Sequence, residues 1–282
     1  MLDLEDSVAP SAKVEARAQV VAALGTYAFE RKVRAVRVNG CDTEWCFEDI
    51  IAVVEGAGAR LDTIIVPKLE SAAEVHFVDG LLTQLERKLH LGRAIGLELQ
   101  IESPRGMERI AEIAAASPRT ECLVFGPADF EASLGVPELT VGRLKPEYPG
   151  DYWHYFLTRI VVAAKANGLQ AIDGPFAQFA DQDGLRAASR RDVMLGYDGK
   201  WAIHPTQIDV LNELFSPRQE DIDRAAAIVA AYKTATEVDM TGAVTLHGEM
   251  IDEASRRLAV ALLDRAALFG LRPGASGGKA AH

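Results

Sequence analysis

Seven short apolar runs, separated by longer Ala-rich segments of helical periodicity, constrain this chain more than any other feature. The runs are Leu2–Leu4, Val33–Val38, Thr63–Pro67, Ile95–Ile101, Cys122–Phe125, Gln170–Ile172 and Trp201–Ile203. Helical patterns cover Lys13–Gly25, Ala72–Lys88, Gly106–Ala115 and Tyr155–Asn167. Strands alternating with helices predict a parallel sheet. Runs as uniformly apolar as IIVP and CLVF fit strands buried on both faces. Nearly every run ends in polar residues: Glu5 and Asp6, Arg37 and Asn39, Lys68, Glu102, Asp129, Asp173, and His204. In a (β/α)8 TIM-type barrel those ends share one rim, where active sites form. An open doubly wound sheet would gather ligand groups at a single switch point. Polar ends spread over all the runs favour the barrel.

The 282 residues suit one barrel of about 250 residues with a C-terminal extension. The expected division is a parallel α/β barrel over 1–215 and a helical lid segment over 216–282 with a loose GASGGKAAH tail. From Glu220 the pattern is helical to Phe269, interrupted near Thr241–Gly248, and Gly135–Asp151 reads as a rim loop. Because only seven runs are visible and the first begins at residue 2, the expectation is either a barrel that lacks a first strand or an abbreviated chain start.

A net charge of −11 and the absence of any Lys/Arg-rich run exclude a nucleic-acid footprint. An anionic ligand would instead meet a few placed cations. No stretch of about 18 apolar residues is present, so no membrane partner is expected. Cys41, Cys46 and Cys122 lack zinc-site spacing and read as reduced structural thiols, which points to a cytoplasmic setting. Dinucleotide-binding, P-loop and α/β-hydrolase motifs are absent.

Glu102 in LQIESPRG and Asp129 in VFGPADF each follow an apolar run. Two carboxylates on adjacent barrel strands suit one Mg2+, which takes one or two carboxylates plus water and substrate oxygens. Either alone would read as a helix N-terminal acid. Glu5 and Asp6 on the same rim strengthen the metal reading. Four clustered carboxylates need positive charge nearby. Arg37, costly in a strand unless paired, either bridges Glu5 or Asp6 or binds an anion. Lys13 and Arg17, one helical turn apart, read by themselves as a solvated face. His204 before Pro205 reads as a structural histidine or a ligand group. Asp173 either serves chemistry or organises its Gly-Pro turn.

In order, the blocks LDLEDSVAPSAKVEAR, VRVNGCDTEW, IIVPKLESAAEV, IESPRGM, FGPADFEASLG, AIDGPFAQFADQDG, GYDGKWAIHPTQI and GEMID closely resemble the malyl-CoA lyase and citrate lyase β-subunit family, within the HpcH/HpaI aldolase group. The longer blocks are most similar to malyl-CoA and β-methylmalyl-CoA lyases. The resemblance implies that Glu102 and Asp129 bind Mg2+, with Mn2+ the alternative, and that Glu5 and Asp6 support its waters. It implies that Arg37 holds the thioester or enolate oxygen and that Lys13 and Arg17 meet CoA phosphates. Ala128, Asp173, His204 and Pro205 complete the expected contacts to the acyl-CoA and a glyoxylate-like oxo acid. It also implies that Asp252, which spacing alone would class as a capping residue, acts as acid–base from a segment folded over a neighbouring subunit. A homo-oligomer, a trimer or a dimer of trimers, is the corresponding expectation. The implied reaction joins or splits malyl-CoA or β-methylmalyl-CoA. The alternatives are a malyl-CoA thioesterase, a citramalyl-CoA or citryl-type lyase, and a degenerate CoA-binding subunit. Family members carry a strand and helix before LDLED that this sequence does not show.

Overall fold

A computed structural model of the chain describes residues 1–30, 32–136, 139–141, 150–238 and 240–274. Most of the expected rim loop and nearly all of the expected tail fall outside these residues. The chain divides into two compact units, Met1–Leu211 and Asn212–His282.

In the first unit, strands and helices alternate as the sequence predicts. They are β1 (Leu2–Asp3), α1 (Lys13–Thr26), β2 (Ala35–Arg37), α2 (Cys46–Ala57), β3 (Thr63–Val66), α3 (Ala72–Leu89), β4 (Gly96–Ile101), α4 (Pro104–Glu108), α5 (Ile110–Ala114), β5 (Thr120–Phe125), α6 (Pro127–Leu134), α7 (His154–Ala166), β6 (Gln170–Asp173), α8 (Gln182–Leu195) and β7 (Gly199–Lys200). All seven strands are parallel and pair in chain order from β1 to β7. Every residue of β3 is buried, as are Leu97, Leu99, Ile101, Leu123 and Val124 in β4 and β5. The sheet curls: the Arg37 guanidinium at the end of β2 lies 5.7 Å from the ring of Trp201, just beyond β7.

Local signals explain where elements begin and end. The Ser71 hydroxyl and the Glu74 carboxylate form a reciprocal capping box at the start of α3. That helix stops at His90 in the left-handed region (φ 53°), after Arg87 and Lys88 in its last turn. Two expectations need correction. The single helix expected over Gly106–Ala115 is split at Arg109, which leaves helical geometry (φ −100°, ψ 12°). The seventh strand is Gly199–Lys200 rather than Trp201–Ile203, because Lys200 is the residue in register with Asp173.

That register builds a buried ion cluster between β6, β7 and α8. The Lys200 ammonium bonds Asp173 and lies 3.2 Å from Asp192. Arg191 reaches Asp192 at 3.0 Å and Asp151 at 3.1 Å. Burial drives the Asp192 carboxyl up to about 7, with Asp173 beside it adding to the rise. Burial also acts on Asp173, but Lys200 and Arg191 outweigh it and hold that carboxyl below its ordinary value.

α9 (Ile208–Phe215) spans the boundary between the units. The second unit continues with α10 (Gln219–Glu237), the antiparallel strands β8 (Val244–Leu246) and β9 (Glu249–Ile251), and α11 (Glu253–Leu268). The interruption seen in the sequence is therefore a hairpin. His247 and Gly248 both take positive φ (49° and 83°), as a two-residue type I′ turn requires. None of the helices among the described residues is long and apolar enough to cross a membrane. All three cysteines are free thiols.

Replacing Lys200 with Met should cost about 3–5 kcal/mol in urea unfolding, because Asp173 and Asp192 lose the ammonium that joins them. A loss under about 1 kcal/mol would show that the cluster contributes little to stability.

Candidate active site

The C-terminal ends of β1 to β5 bring their polar residues together. The pairing register sets Asp3 beside Arg37, and the guanidinium bonds the carboxylate twice, at 2.8 and 2.7 Å. Such a bidentate fork fixes orientation as well as charge. Burial opposes charge on both, yet Arg37 holds Asp3 at about 2 and is itself held above its ordinary value. Arg37 Nη1 also lies 3.1 Å from Glu5 Oε2. That oxygen is buried and has no directed hydrogen bond, so its contact with Arg37 is electrostatic only.

Lys68 follows β3 in the left-handed region (φ 54°), a conformation that costs a side-chain-bearing residue energy and occurs at functional sites. The turn aims its two ends differently. Its backbone N–H donates to Glu102 Oε1 at 2.6 Å. Its ammonium lies 2.5 Å from Glu5 Oε1, 3.2 Å from Asp6 Oδ1 and 3.9 Å from Asp129 Oδ1.

Glu102, just past β4, is 2% exposed. Its second oxygen accepts from Gln100 Nε2 at 2.6 Å. Burial, reinforced by the charge of Asp129, pushes its carboxyl up to about 8 despite the Lys68 N–H. Gly126, beside it after β5, makes room: a Cβ there would fall 2.4 Å from Glu102 Oε2 and 2.5 Å from Glu102 Cβ. Asp129 stands in the first turn of α6 behind Pro127, where the helix dipole favours an anion.

Glu102 and Asp129 are thus close enough for the charge of Asp129 to act on Glu102, and both offer oxygen donors only, a set that fits Mg2+. A cation bound by both would offset the burial and the Asp129 charge that raise Glu102. Among the described residues, no group of three His, Cys, Asp or Glu side chains is arranged to hold a metal. A metal here would draw on these two carboxylates, waters and substrate oxygens.

The remaining expected residues divide. Lys13 and Arg17 are buried, not a solvated face. The Lys13 ammonium bonds the Leu4 and Glu5 carbonyls at 2.8 and 2.7 Å and lies 5.4 Å from the Trp45 ring. Arg17 bonds Asp49 and Glu48, both at 2.7 Å. Asp49 in turn accepts from the backbone N–H and side chain of Asn39, whose amide also bonds the Leu4 carbonyl. These residues shape the loop that presents Glu5 and Asp6, and their charges already have partners. Asp173 belongs to the Lys200 cluster, separate from the Lys68 carboxylates. His204 caps the short 3-10 helix opened by Pro205, accepts from the Thr206 N–H, and stacks on Phe179 at 4.5 Å. Ala128 is exposed at the start of α6. Asp252 lies in the second unit as the N-cap of α11, accepting from the Ser255 N–H at 3.0 Å, which lowers its carboxyl below the ordinary range.

Asp3, Gln100, Gly126 and Trp201 are functional candidates that the sequence alone does not single out, and it places Lys68 only as one rim residue among several. Asp3 carried one usable signal: a charged residue inside a strand pattern, like Arg37, needs a partner.

Glu102 yields an expectation for pH. Its folded-state value of about 8 exceeds the ordinary 4.5, so its contribution to stability is intact below 4.5 and is lost as pH rises through 8. Metal-free protein should lose up to about 1.4 kcal/mol per pH unit on its account across that window. Glu102→Gln should remove this slope in urea unfolding measured with EDTA from pH 5 to 9. An unchanged slope would place the raised carboxyl elsewhere.

Residues 1–205 match the HpcH/HpaI aldolase/citrate lyase family. The L-malyl-CoA/beta-methylmalyl-CoA lyase of Cereibacter sphaeroides is 39% identical over 277 residues, 95% of this chain and 87% of that enzyme. A (3S)-malyl-CoA thioesterase from the same species is 35% identical over 96% of this chain and 88% of its own length. Among solved structures, the CitE protein of Mycobacterium tuberculosis in complex with magnesium, acetoacetate and coenzyme A aligns with a TM-score of 0.72. It is 29% identical over 94% of this chain and 88% of that chain.

Proposed function

This chain belongs to the HpcH/HpaI aldolase/citrate lyase family, and from that premise we propose that it is a Mg2+-dependent carbon–carbon lyase. It interconverts malyl-CoA or β-methylmalyl-CoA with glyoxylate and acetyl-CoA or propionyl-CoA, a reading supported by relatives named L-malyl-CoA/beta-methylmalyl-CoA lyase. The observation that carries this reading is the meeting of Glu102, Asp129 and Arg37 around Lys68 at one end of the sheet.

Glu102 and Asp129 would hold the Mg2+, with Glu5 and Asp6 accepting hydrogen bonds from waters around it. When bound, the metal supplies Lewis acidity at the carbonyl of the oxo acid. Arg37 has Nε and Nη2 committed to Asp3, which fixes the guanidinium plane. Its Nη1, 3.1 Å from Glu5 Oε2 but without a directed hydrogen bond to it, would donate to the thioester oxygen and stabilise negative charge as the enolate forms. The Asp252 carboxylate, kept ionised by its cap bonds, accepts the proton from the α-carbon of the acyl group. The enolate carbon then bonds to the glyoxylate aldehyde carbon, the carbonyl π bond breaks, and the aldehyde oxygen takes up the proton held by Asp252 to become the product hydroxyl. Cleavage runs the same steps backward, with Asp252 returning its proton to the α-carbon. No covalent enzyme intermediate enters.

The seven-stranded curl is read as part of a (β/α)8-type barrel. The working enzyme is read as a homo-oligomer, a trimer or a dimer of trimers, in which the segment bearing Asp252 serves a neighbour's site. Acyl-CoA as the ligand class is supported by the CitE complex with coenzyme A. The thioesterase relative keeps one alternative open, in which water is added to the malyl thioester at the same site.

Incubation with Mg2+, glyoxylate and either acetyl-CoA or propionyl-CoA should yield malyl-CoA or β-methylmalyl-CoA by mass. Arg37→Ala should lower kcat by about 10²–10³, the loss of one oxyanion donor. Glu102→Gln and Asp129→Asn should lose turnover while remaining folded. Release of free CoA from malyl-CoA with no acetyl-CoA formed would establish the thioesterase instead.

Subunit exchange tests the lid. Arg37→Ala mixed with Asp252→Ala should regain part of the activity that each variant lacks alone. Mixed oligomers without complementation would mean that the acid–base is supplied within one subunit or is not Asp252.

A further inference from the structure

Among the described residues, Lys68 is the one that touches both the carboxylates assigned to the metal and those assigned to its waters. Its ammonium lies within 4 Å of Glu5, Asp6 and Asp129, at 2.5, 3.2 and 3.9 Å, while Arg37 approaches the far oxygen of Glu5. Its backbone N–H separately grips Glu102. About a third of the side chain is open to solvent, so the ammonium can leave without moving the backbone.

We propose that the Lys68 ammonium is the resident counter-cation of this carboxylate cluster and competes with the divalent ion for it. The proposal rests on the assignment of Glu102 and Asp129 as the metal site. The argument is electrostatic. Carboxylates this close repel one another unless positive charge lies among them. Lys68 supplies that charge and keeps Glu5, Asp6 and Asp129 gathered in their places. The same charge repels a divalent ion arriving at Asp129, because the two cations would sit only a few ångströms apart. Lys68 therefore sets the metal affinity as a positioning residue. It organises the ligands beforehand and weakens their hold on the arriving metal.

The test is calorimetric titration of Mg2+ alone into EDTA-stripped full-length protein at one fixed pH. Lys68→Met keeps the backbone N–H to Glu102 and removes the charge, so it should bind Mg2+ at least about tenfold more tightly than wild type. Lys68→Gln, which retains hydrogen-bonding capacity, should show the same direction and serves if the Met variant fails to fold. Lys68→Arg, which retains the charge, should stay near wild type. The Mg2+-induced rise in Tm should be larger in the two neutral variants than in wild type. A purely structural role predicts the opposite: looser ligands and weaker Mg2+ binding in every variant. Neutral variants that bind as wild type does, or more weakly, overturn the proposal. Glu102→Gln separates the two layers. If it binds Mg2+ as well as wild type, the metal lies elsewhere, and the assignment on which the proposal rests falls first.

Discussion

Parallel pairing places a residue of one strand directly beside a residue of the next, and this chain uses that register twice to join opposite charges. Asp3 stands beside Arg37 at one end of the sheet and Asp173 beside Lys200 at the other. Both pairs are largely sequestered from water, where a lone charge would be untenable and a partnered one is held in a single geometry. The first pair orients the guanidinium that reaches the rim carboxylates through Glu5. The second ties the last two strands to α8 through Asp192 and Arg191. The Arg37–Trp201 contact then brings the two ends of the series within reach of one another. Without these cross-strand pairs the rim carboxylates would have no fixed frame.

The site between them departs from what stability alone would select. Glu102 is buried, feels the charge of Asp129, and has its carboxyl raised to about 8. Lys68 occupies a left-handed conformation, and Gly126 gives up a side chain so that Glu102 fits. Three local costs gathered at one end of one sheet are the pattern expected where chemistry has set the arrangement.

Much of this was legible in the residues. The alternation of runs and helical segments gave the parallel order, and most strands lie within two residues of their expected positions. The last strand did not, because WAI looks like a strand by hydrophobicity while GK does not. The pairing of Lys200 with Asp173 overrides that local preference. The hairpin after α10 was hidden for a related reason: His-Gly is a weaker turn signal than Asn-Gly, and strands of three residues give alternation little room. Glu102, Asp129, Glu5, Asp6 and Arg37 could be placed on one rim because each directly follows or ends an apolar run. Lys68 could not be ranked above other rim residues, since its importance comes from a backbone turn that composition does not report. Lys13 and Arg17 show the reverse failure. Spacing suggests an open helical face, whereas both cations are drawn inward by carbonyls and by Asp49, groups that no pattern reveals as acceptors.

The two-residue turn at His247–Gly248 acts as a ruler for the chain beyond it. It fixes Val244 opposite Ile251, so Ile251 is buried and the chain leaves β9 at a set point. The next residue is Asp252, whose carboxylate is immobilised at once by the first turn of α11. Strand side chains alternate faces, so a loop one residue longer would turn Ile251 to the opposite side. It would also shift the start of α11 and the carboxylate with it. The position of Asp252 within its unit is thus measured from a turn several residues away, and chain length there fixes the carboxylate as firmly as its own cap bonds do.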